Sequence, residues 1–304
     1  MSSSEQSPEL SIVIVCYEMQ AQIENTLRSL LPPYQQGIAT DQYEIILMDN
    51  GSSRPLEERL QKFSANLRYV YISPNEASPN PAVALNHGAS LARASVLCLM
   101  IDGARMLTPG VLAWGLRLMA LRNGGMVEVR GWHLGPKFQP DSIMEGYDEE
   151  AEKELLAKIR WWENGYRLFE IAAESAQTRA GFSRRSAESN CIFLAADLFS
   201  SIGGFDERSR AAGGGLVNLD FFARAVSAAD SVFTLLGEGT FHQVHGGAAT
   251  GLTRPALSEA IARWRAESEE LGQRIAPDYE VLLAGHLPPE CLRWLSRHTA
   301  ASSS

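Results

Sequence analysis

Residues 10–16, LSIVIVC, are an unbroken apolar run rich in β-branched side chains. A run that is apolar on both faces must be covered on both, which is the situation of a strand inside a parallel sheet. The flanking sequence repeats the theme. Residues 20–31 carry Ile23, Leu27 and Leu30 at helical spacing, and residues 44–48, EIILM, are a second buried-strand run. That run stops at Asp49-Asn50-Gly51-Ser52-Ser53, a cluster of turn formers. A helical stretch at 56–63, the strand-like LRYVYIS at 67–73, a helix over 81–92 and VLCLMI at 96–101 complete the pattern. Strand–helix alternation of this kind predicts an α/β fold, a mostly parallel sheet with helices on both faces.

In open sheets of this class, ligands bind at the carboxyl ends of the strands. Those ends carry Tyr17-Glu18, Asp49-Asn50 and Asp102-Gly103. Capping of the following helix accounts for any one of these clusters. Three at corresponding points favour a shared ligand crevice.

Composition sets the outer limits. The 304 residues are 45% hydrophobic and 21% charged, the balance of a folded chain able to bury a sizeable core as one large α/β domain or two smaller ones. Twenty-seven basic against 36 acidic side chains leave a net charge of −9. Such a chain is a poor nucleic-acid or anionic-membrane binder unless its cations cluster, so a phosphorylated ligand needs a local positive feature. Cys16, Cys98, Cys191 and Cys291 are widely spaced, which argues against a disulfide framework and a cysteine zinc site. The polar opening MSSSEQSPE lacks a signal-peptide pattern, and apolar runs such as 96–101 are too short to span a bilayer. The expected compartment is the cytoplasm.

The remainder has a different texture. An acidic helical segment with Trp161, Trp162 and Phe169 covers 145–176, followed by a basic patch at Arg179, Arg184 and Arg185. Next come the apolar NCIFLAADLF (190–199), a turn at Ile202-Gly203-Gly204-Phe205-Asp206-Glu207, glycines at 213–215 and the helical LDFFARAVSAA (219–229). A short strand at 232–236 precedes FHQVHGGAATG (241–251), and residues 255–298 read as helical.

Taken in order, LSIVIVCYEM, EIILMDNGSS, ALNHGASLARASVLCLMIDGA and IGGFDE followed by LDFFARA resemble the family 2 glycosyltransferases over roughly residues 10–245. The resemblance implies a GT-A, Rossmann-like nucleotide-sugar transferase fold at 8–250. Its nucleotide half is expected at 8–105, its acceptor half at 106–250, and a C-terminal helical extension at 251–304. By the same resemblance Tyr17 and Glu18 border the base and ribose, Asp49 hydrogen-bonds the base ring, Asn50 and Ser52 support that loop, and Asn86 lies near the ribose or the loop beneath it. Asp102 matches the first aspartate of the family's Asp-x-Asp. A divalent cation on hard oxygen ligands would offset the charge of a nucleoside diphosphate leaving group.

The sequence departs from the family pattern twice. Ala104 replaces the second aspartate, leaving one carboxylate for Mn²⁺ or Mg²⁺. Family relatives complete the shell with a later histidine, and His242 and His245 lie on the matching segment; nitrogen ligands would favour Mn²⁺. The alternative is a metal-free site in which Arg105, or Arg179, Arg184 and Arg185, meets the diphosphate through bidentate hydrogen bonds. The second departure concerns the general base, where Val217 and Asn218 replace a Glu-Asp pair. Asp220 is then the nearest candidate, with Asp206 and Glu207 behind it. Another base, a retaining mechanism and lost activity all stay open.

Two further readings are open. The small-residue loop 245–251 is either a lid or a connector, and Trp161, Trp162 and Tyr166 are either a sugar platform or core. The expected function is sugar transfer from a UDP- or GDP-linked donor to a saccharide or lipid-linked acceptor hydroxyl, in a bacterial surface polysaccharide or glycolipid pathway. That setting allows peripheral contact with the inner membrane face. A non-catalytic, decayed transferase module is the alternative. A nucleotidyltransferase is disfavoured, because no glycine-rich loop follows the first strand. Apolar residues of the C-terminal segment either pack on the domain, pair two chains as a homodimer, or touch a membrane-borne acceptor.

Overall fold

The computed structural model describes residues 7–63, 66–175, 178, 181–249 and 251–295. The first half builds the larger sheet. Strand β1 (Leu10–Cys16) is buried along its whole length, as its composition requires, and α1 (Gln22–Leu30) returns across the sheet. Strand β2 (Tyr43–Asn50), the short α2 (Glu57–Leu60), β3 (Leu67–Ile72), α3 (Pro81–Ser90) and β4 (Val96–Met100) follow. Helix α3 starts where the sequence signals it: the Asn80 side chain accepts from the Ala82 amide at 3.0 Å and Pro81 occupies the first turn. It lies close on the sheet, since a Cβ on Gly88 would stand 2.5 Å from Val13 Cγ1.

Beyond β4 the chain makes β5 (Arg105–Leu107), α4 (Val111–Leu121), β6 (Gly125–Glu128), β7 (Gly131–Leu134), α5 (Gln139–Met144) and α6 (Glu149–Ile159). Then come β8 (Ala172–Ala173), β9 (Ile192–Ala195), α7 (Ala196–Ser201), α8 (Val217–Ala228), β10 (Ser231–Leu236) and β11 (Thr240–His242). The last elements are α9 (Arg254–Leu271) and β12 (Val281–Gly285).

Eight strands form one sheet in the order β12-β10-β6-β9-β4-β1-β2-β3. Among the described residues β9 alone runs against the others, pairing antiparallel with both β4 and β6. The carboxyl ends of β1, β2 and β4 therefore share one edge, joined there by the amino end of β9. A smaller sheet, β5-β11-β7-β8, stands beside that edge. One apolar cluster fills the α1/α4 face of the large sheet, a second the α3/α8 face, and a third surrounds Trp132 on the small sheet.

The C-terminal segment corrects an expectation. Helix α9 ends at Gly272, which caps it in the left-handed region at φ 66°. The chain then adds β12 to the edge of the large sheet, parallel to β10, with Val232 opposite Val281. VLLAG is too short for its apolar pattern to separate strand from helix, and an open sheet edge decides it. Trp294 is buried with its ring 5.8 Å from that of Trp132. Helix α9 accords with the expected helical segment, while β12 and Trp294 depart from it by packing on the large and small sheets. Among the described residues, no helix is long and apolar enough to cross a membrane.

Candidate active site

The turn after β4 carries Asp102, and Gly103 lets it settle on the end of β1: a Cβ there would lie 2.8 Å from the Val15 carbonyl oxygen. The Thr26 hydroxyl donates to the Gly103 carbonyl at 2.7 Å and the Ala104 amide donates to Asp102 Oδ1 at 3.0 Å. Strand β5 then pairs antiparallel with β11, setting Arg105 opposite His242, while β11 pairs parallel with β7, setting His242 opposite His133. Three adjacent strands thereby present Arg105, His242 and His133 in one row beside Asp102. The chain just past β11 is held to α1 by amides. Gln22 Nε2 donates to the Val244 carbonyl at 2.8 Å, and Asn25 Nδ2 donates to Gln243 Oε1 at 2.9 Å.

Around Asp102 the donor atoms converge. His242 Nε2 lies 2.9 Å from Asp102 Oδ2, His245 Nε2 lies 3.1 Å from His242 Nε2, and Asp102 Oδ1 is 3.9 Å from His245 Nε2. One ligand atom from each residue lies within 4.8 Å of the other two. Arg105 Nε stands 3.4 Å from Asp102 Oδ2. On its far side His242 Nδ1 meets Gln139 Oε1 at 2.6 Å. With Nδ1–H donating to that amide oxygen, Nε2 is the ring nitrogen turned toward the carboxylate and the second imidazole. One carboxylate oxygen and two imidazole nitrogens facing one point suit a cation, and an N₂O donor set suits a later divalent metal such as Mn²⁺ better than Mg²⁺. The outward hydrogen bond to Gln139 is the kind that fixes a metal-binding histidine.

The electrostatics agree. Burial pushes the Asp102 carboxyl up, but His242, Arg105 and His245 together outweigh it and hold it well below the usual carboxylate range. Burial, assisted by His242 and Arg105, lowers His245 to about 4, against a partial pull upward from Asp102. Burial, again with His242 and Arg105, holds His133 well below its ordinary value. At neutral pH, His245 is an uncharged imidazole beside an ionised carboxylate.

At the next two strand ends a tight loop network forms. Ser52 Oγ accepts from the Glu18 amide at 2.9 Å, and Glu18 Oε1 accepts from the Ser53 amide at 2.7 Å. Glu18 sits in the left-handed region at φ 51°, and hydrogen bonds from Gln20 and Ser53 lower its carboxyl. Asp49 is fully buried: Oδ1 accepts from the Ser52 amide at 3.1 Å and Oδ2 from the Tyr69 hydroxyl at 2.8 Å. Its side chain has no open surface to offer a base ring, so it braces the loop. Asn50 donates to the Ser78 carbonyl at 2.7 Å. Tyr17, 56% exposed, faces outward here together with Glu18.

Other expected site residues lie elsewhere. Asn86 is bound at both amide atoms to the turn after α7: it donates to the Phe205 carbonyl (2.9 Å) and Glu207 Oε1 (2.8 Å), and accepts from the Phe205 amide (2.9 Å). Together with Asp206, Glu207, Asp220 and Arg274 it lines a cleft of about 540 Å³ that none of the residues around Asp102 borders. Asp220 cannot serve as the expected base in this geometry. Arg224 Nε donates to its Oδ2 and the Arg274 amide to its Oδ1, both at 2.8 Å, and it is buried. Asp206 is ion-paired with Arg208 at 2.8 Å, a hydrogen-bonded pair that lowers its carboxyl to about 2. Arg184 is exposed, Arg185 pairs with Asp278, and Arg179 lies outside the described residues. The aromatic trio divides: Trp161 is buried against Tyr34, Trp162 is exposed, and the Tyr166 hydroxyl donates to buried Glu238 at 2.9 Å. No sugar platform results.

Residues 11–102 match the family model described as glycosyl transferase family 2. Across 96 residues the chain is 30% identical to validoxylamine A glucosyltransferase of Streptomyces hygroscopicus subsp. limoneus, covering 32% of the chain and 20% of the relative. It therefore spans about a fifth of that relative's length. Among solved structures, S. aureus TarS 1–349 in complex with UDP-GlcNAc superposes with a TM-score of 0.55 at 12% identity, over 85% of this chain and 66% of that one. The mannosyltransferase PcManGT from Pyrobaculum calidifontis, in complex with GDP-Man and Mn²⁺, gives 0.53 at 15%, over 90% and 66%. These likenesses establish a GT-A fold for the chain.

Proposed function

We propose that this chain is a glycosyltransferase that moves a sugar from a nucleotide-sugar donor to an acceptor hydroxyl. The observation that carries the reading is the cluster of Asp102, His242 and His245 at the end of β4, with donor atoms within 4.8 Å of one another. It stands where a family 2 chain needs a positive feature for a diphosphate, on a protein whose net charge is −9. The three side chains would hold a divalent cation, Mn²⁺ by donor type, and Arg105 would add a second positive charge. A bound cation would neutralise the diphosphate as it leaves. Tyr17 and Glu18, on the loop braced by Asp49 and Ser52, would border the nucleoside. The solved neighbours were captured with UDP-GlcNAc or with GDP-Man and Mn²⁺, which supports a UDP- or GDP-linked donor.

Calorimetric titration with UDP and with GDP, each with Mn²⁺ and again with EDTA, tests this reading. Binding of one nucleotide that requires Mn²⁺ is the expected result. Metal-independent binding would move the leaving-group role to Arg105. Binding of neither nucleotide in either condition would overturn the reading.

A further inference from the structure

We infer that Glu188 is the catalytic base, a carboxylate supplied by the segment before β9 in place of one at the start of α8; this rests on the glycosyltransferase reading above. Asn218, at a position where the family pattern has a carboxylate, cannot take a proton. Its side-chain amide instead donates to Glu188 Oε2 at 2.9 Å. A carboxylate therefore stands within one hydrogen bond of that position, carried by a different stretch of chain.

The sheet explains how it gets there. Strand β9 runs against β4, with Ile192 opposite Leu99. The segment that enters β9, which carries Glu188 and Ser189, therefore approaches the sheet edge at which β4 ends and the Asp102 turn follows. The segment is anchored: the Ser189 hydroxyl contacts the Val129 and Cys191 carbonyls at 2.9 and 2.8 Å, and the Val129 amide donates to the Cys191 carbonyl at 3.0 Å. Asn190 Oδ1 lies 3.4 Å from the Asn218 amide nitrogen and closes the same group. Asn218 is buried while Glu188 is partly exposed, and among the described residues no hydrogen bond reaches its Oε1. One oxygen is thus oriented from the protein side and the other is available to an acceptor.

The pairing also accounts for the amide at 218. Two carboxylates at 2.9 Å would repel, whereas the amide at 218 donates a hydrogen bond to its partner. In the reaction, Glu188 takes the acceptor hydroxyl proton as that oxygen bonds to the anomeric carbon. The bond from the anomeric carbon to the diphosphate oxygen breaks, and its electron pair leaves with the nucleotide.

The test uses water as the acceptor. Nucleotide release from UDP-glucose, UDP-N-acetylglucosamine and GDP-mannose is followed with Mn²⁺ in the wild type, Glu188→Gln and Glu188→Gln/Asn218→Asp, with UDP and GDP affinity measured on each. In Glu188→Gln the new side-chain amide oxygen can still accept from Asn218, so the fold is retained. We expect Glu188→Gln to release nucleotide about a hundredfold more slowly at unchanged affinity, the scale of a lost general base. The acid limb of the rate–pH profile should disappear, and the double variant should regain part of the rate. Equal rates in wild type and Glu188→Gln, zero included, overturn this inference alone if nucleotide binds. A chain that binds neither nucleotide overturns the functional reading and this inference with it.

Discussion

His242 and Gln139 are separated by more than a hundred positions, and their contact fixes which nitrogen of the ring is free. Removing that contact should leave the three donor atoms in place but unpinned. Gln139→Leu is expected to weaken Mn²⁺ affinity about 10- to 100-fold, read by calorimetry with the metal alone, the range found for partners of metal-binding histidines. His242→Ala and His245→Ala should each abolish the difference between Mn²⁺ and EDTA in nucleotide titrations; variants that keep it would exclude the imidazoles as ligands. Glu152 offers a pH signature near the same segment. It accepts from the Val244 amide at 2.8 Å, and burial raises its carboxyl from 4.5 to about 8. Between those values the unfolded chain has released the proton and the folded chain retains it. Stability should therefore fall as pH rises through that window, by at most about 1.4 kcal/mol per pH unit from this group. Chemical denaturation across the window should show a flatter profile in Glu152→Gln.

At the scale of elements, two close approaches separate site from scaffold. Gly103 carries the turn after β4 over the end of β1, and Gly88 lets α3 lie on Val13 and Met48. An added methyl at either place overpacks the interior and should cost about 1–3 kcal/mol. Gly88→Ala should lower the melting temperature yet spare Mn²⁺-dependent nucleotide binding. Gly103→Ala should weaken both, because the carbonyl of Val15 blocks the added carbon and Asp102 must shift with the turn. Comparing thermal melts with titrations on the two variants distinguishes these outcomes. The small sheet has its own logic: it matters for its register, which lines up residues 105, 242 and 133 across three strands.

For the whole molecule, the closing strand has the largest consequence. Strand β12 covers the edge of β10, and Trp294 completes the cluster around Trp132. A chain ended at residue 250 should expose both and aggregate or melt well below the full chain, which light scattering and thermal unfolding would register. The parallel core was legible from LSIVIVC, EIILM and VLCLMI alone, because a doubly covered strand needs apolar side chains on both faces. The same runs located Asp102 and the loop near Asp49, since a strand's end is written where its apolar pattern stops. The family resemblance brought His242 and His245 into consideration, on the segment where relatives complete the metal shell with a later histidine. Their convergence on Asp102, the burial of Asp49, the sequestering of Asp220 by Arg224 and the meeting of Glu188 with Asn218 depend on contacts between distant segments. Such contacts leave no periodic mark, because each is fixed by strand register and helix packing across the fold rather than by neighbours along the chain.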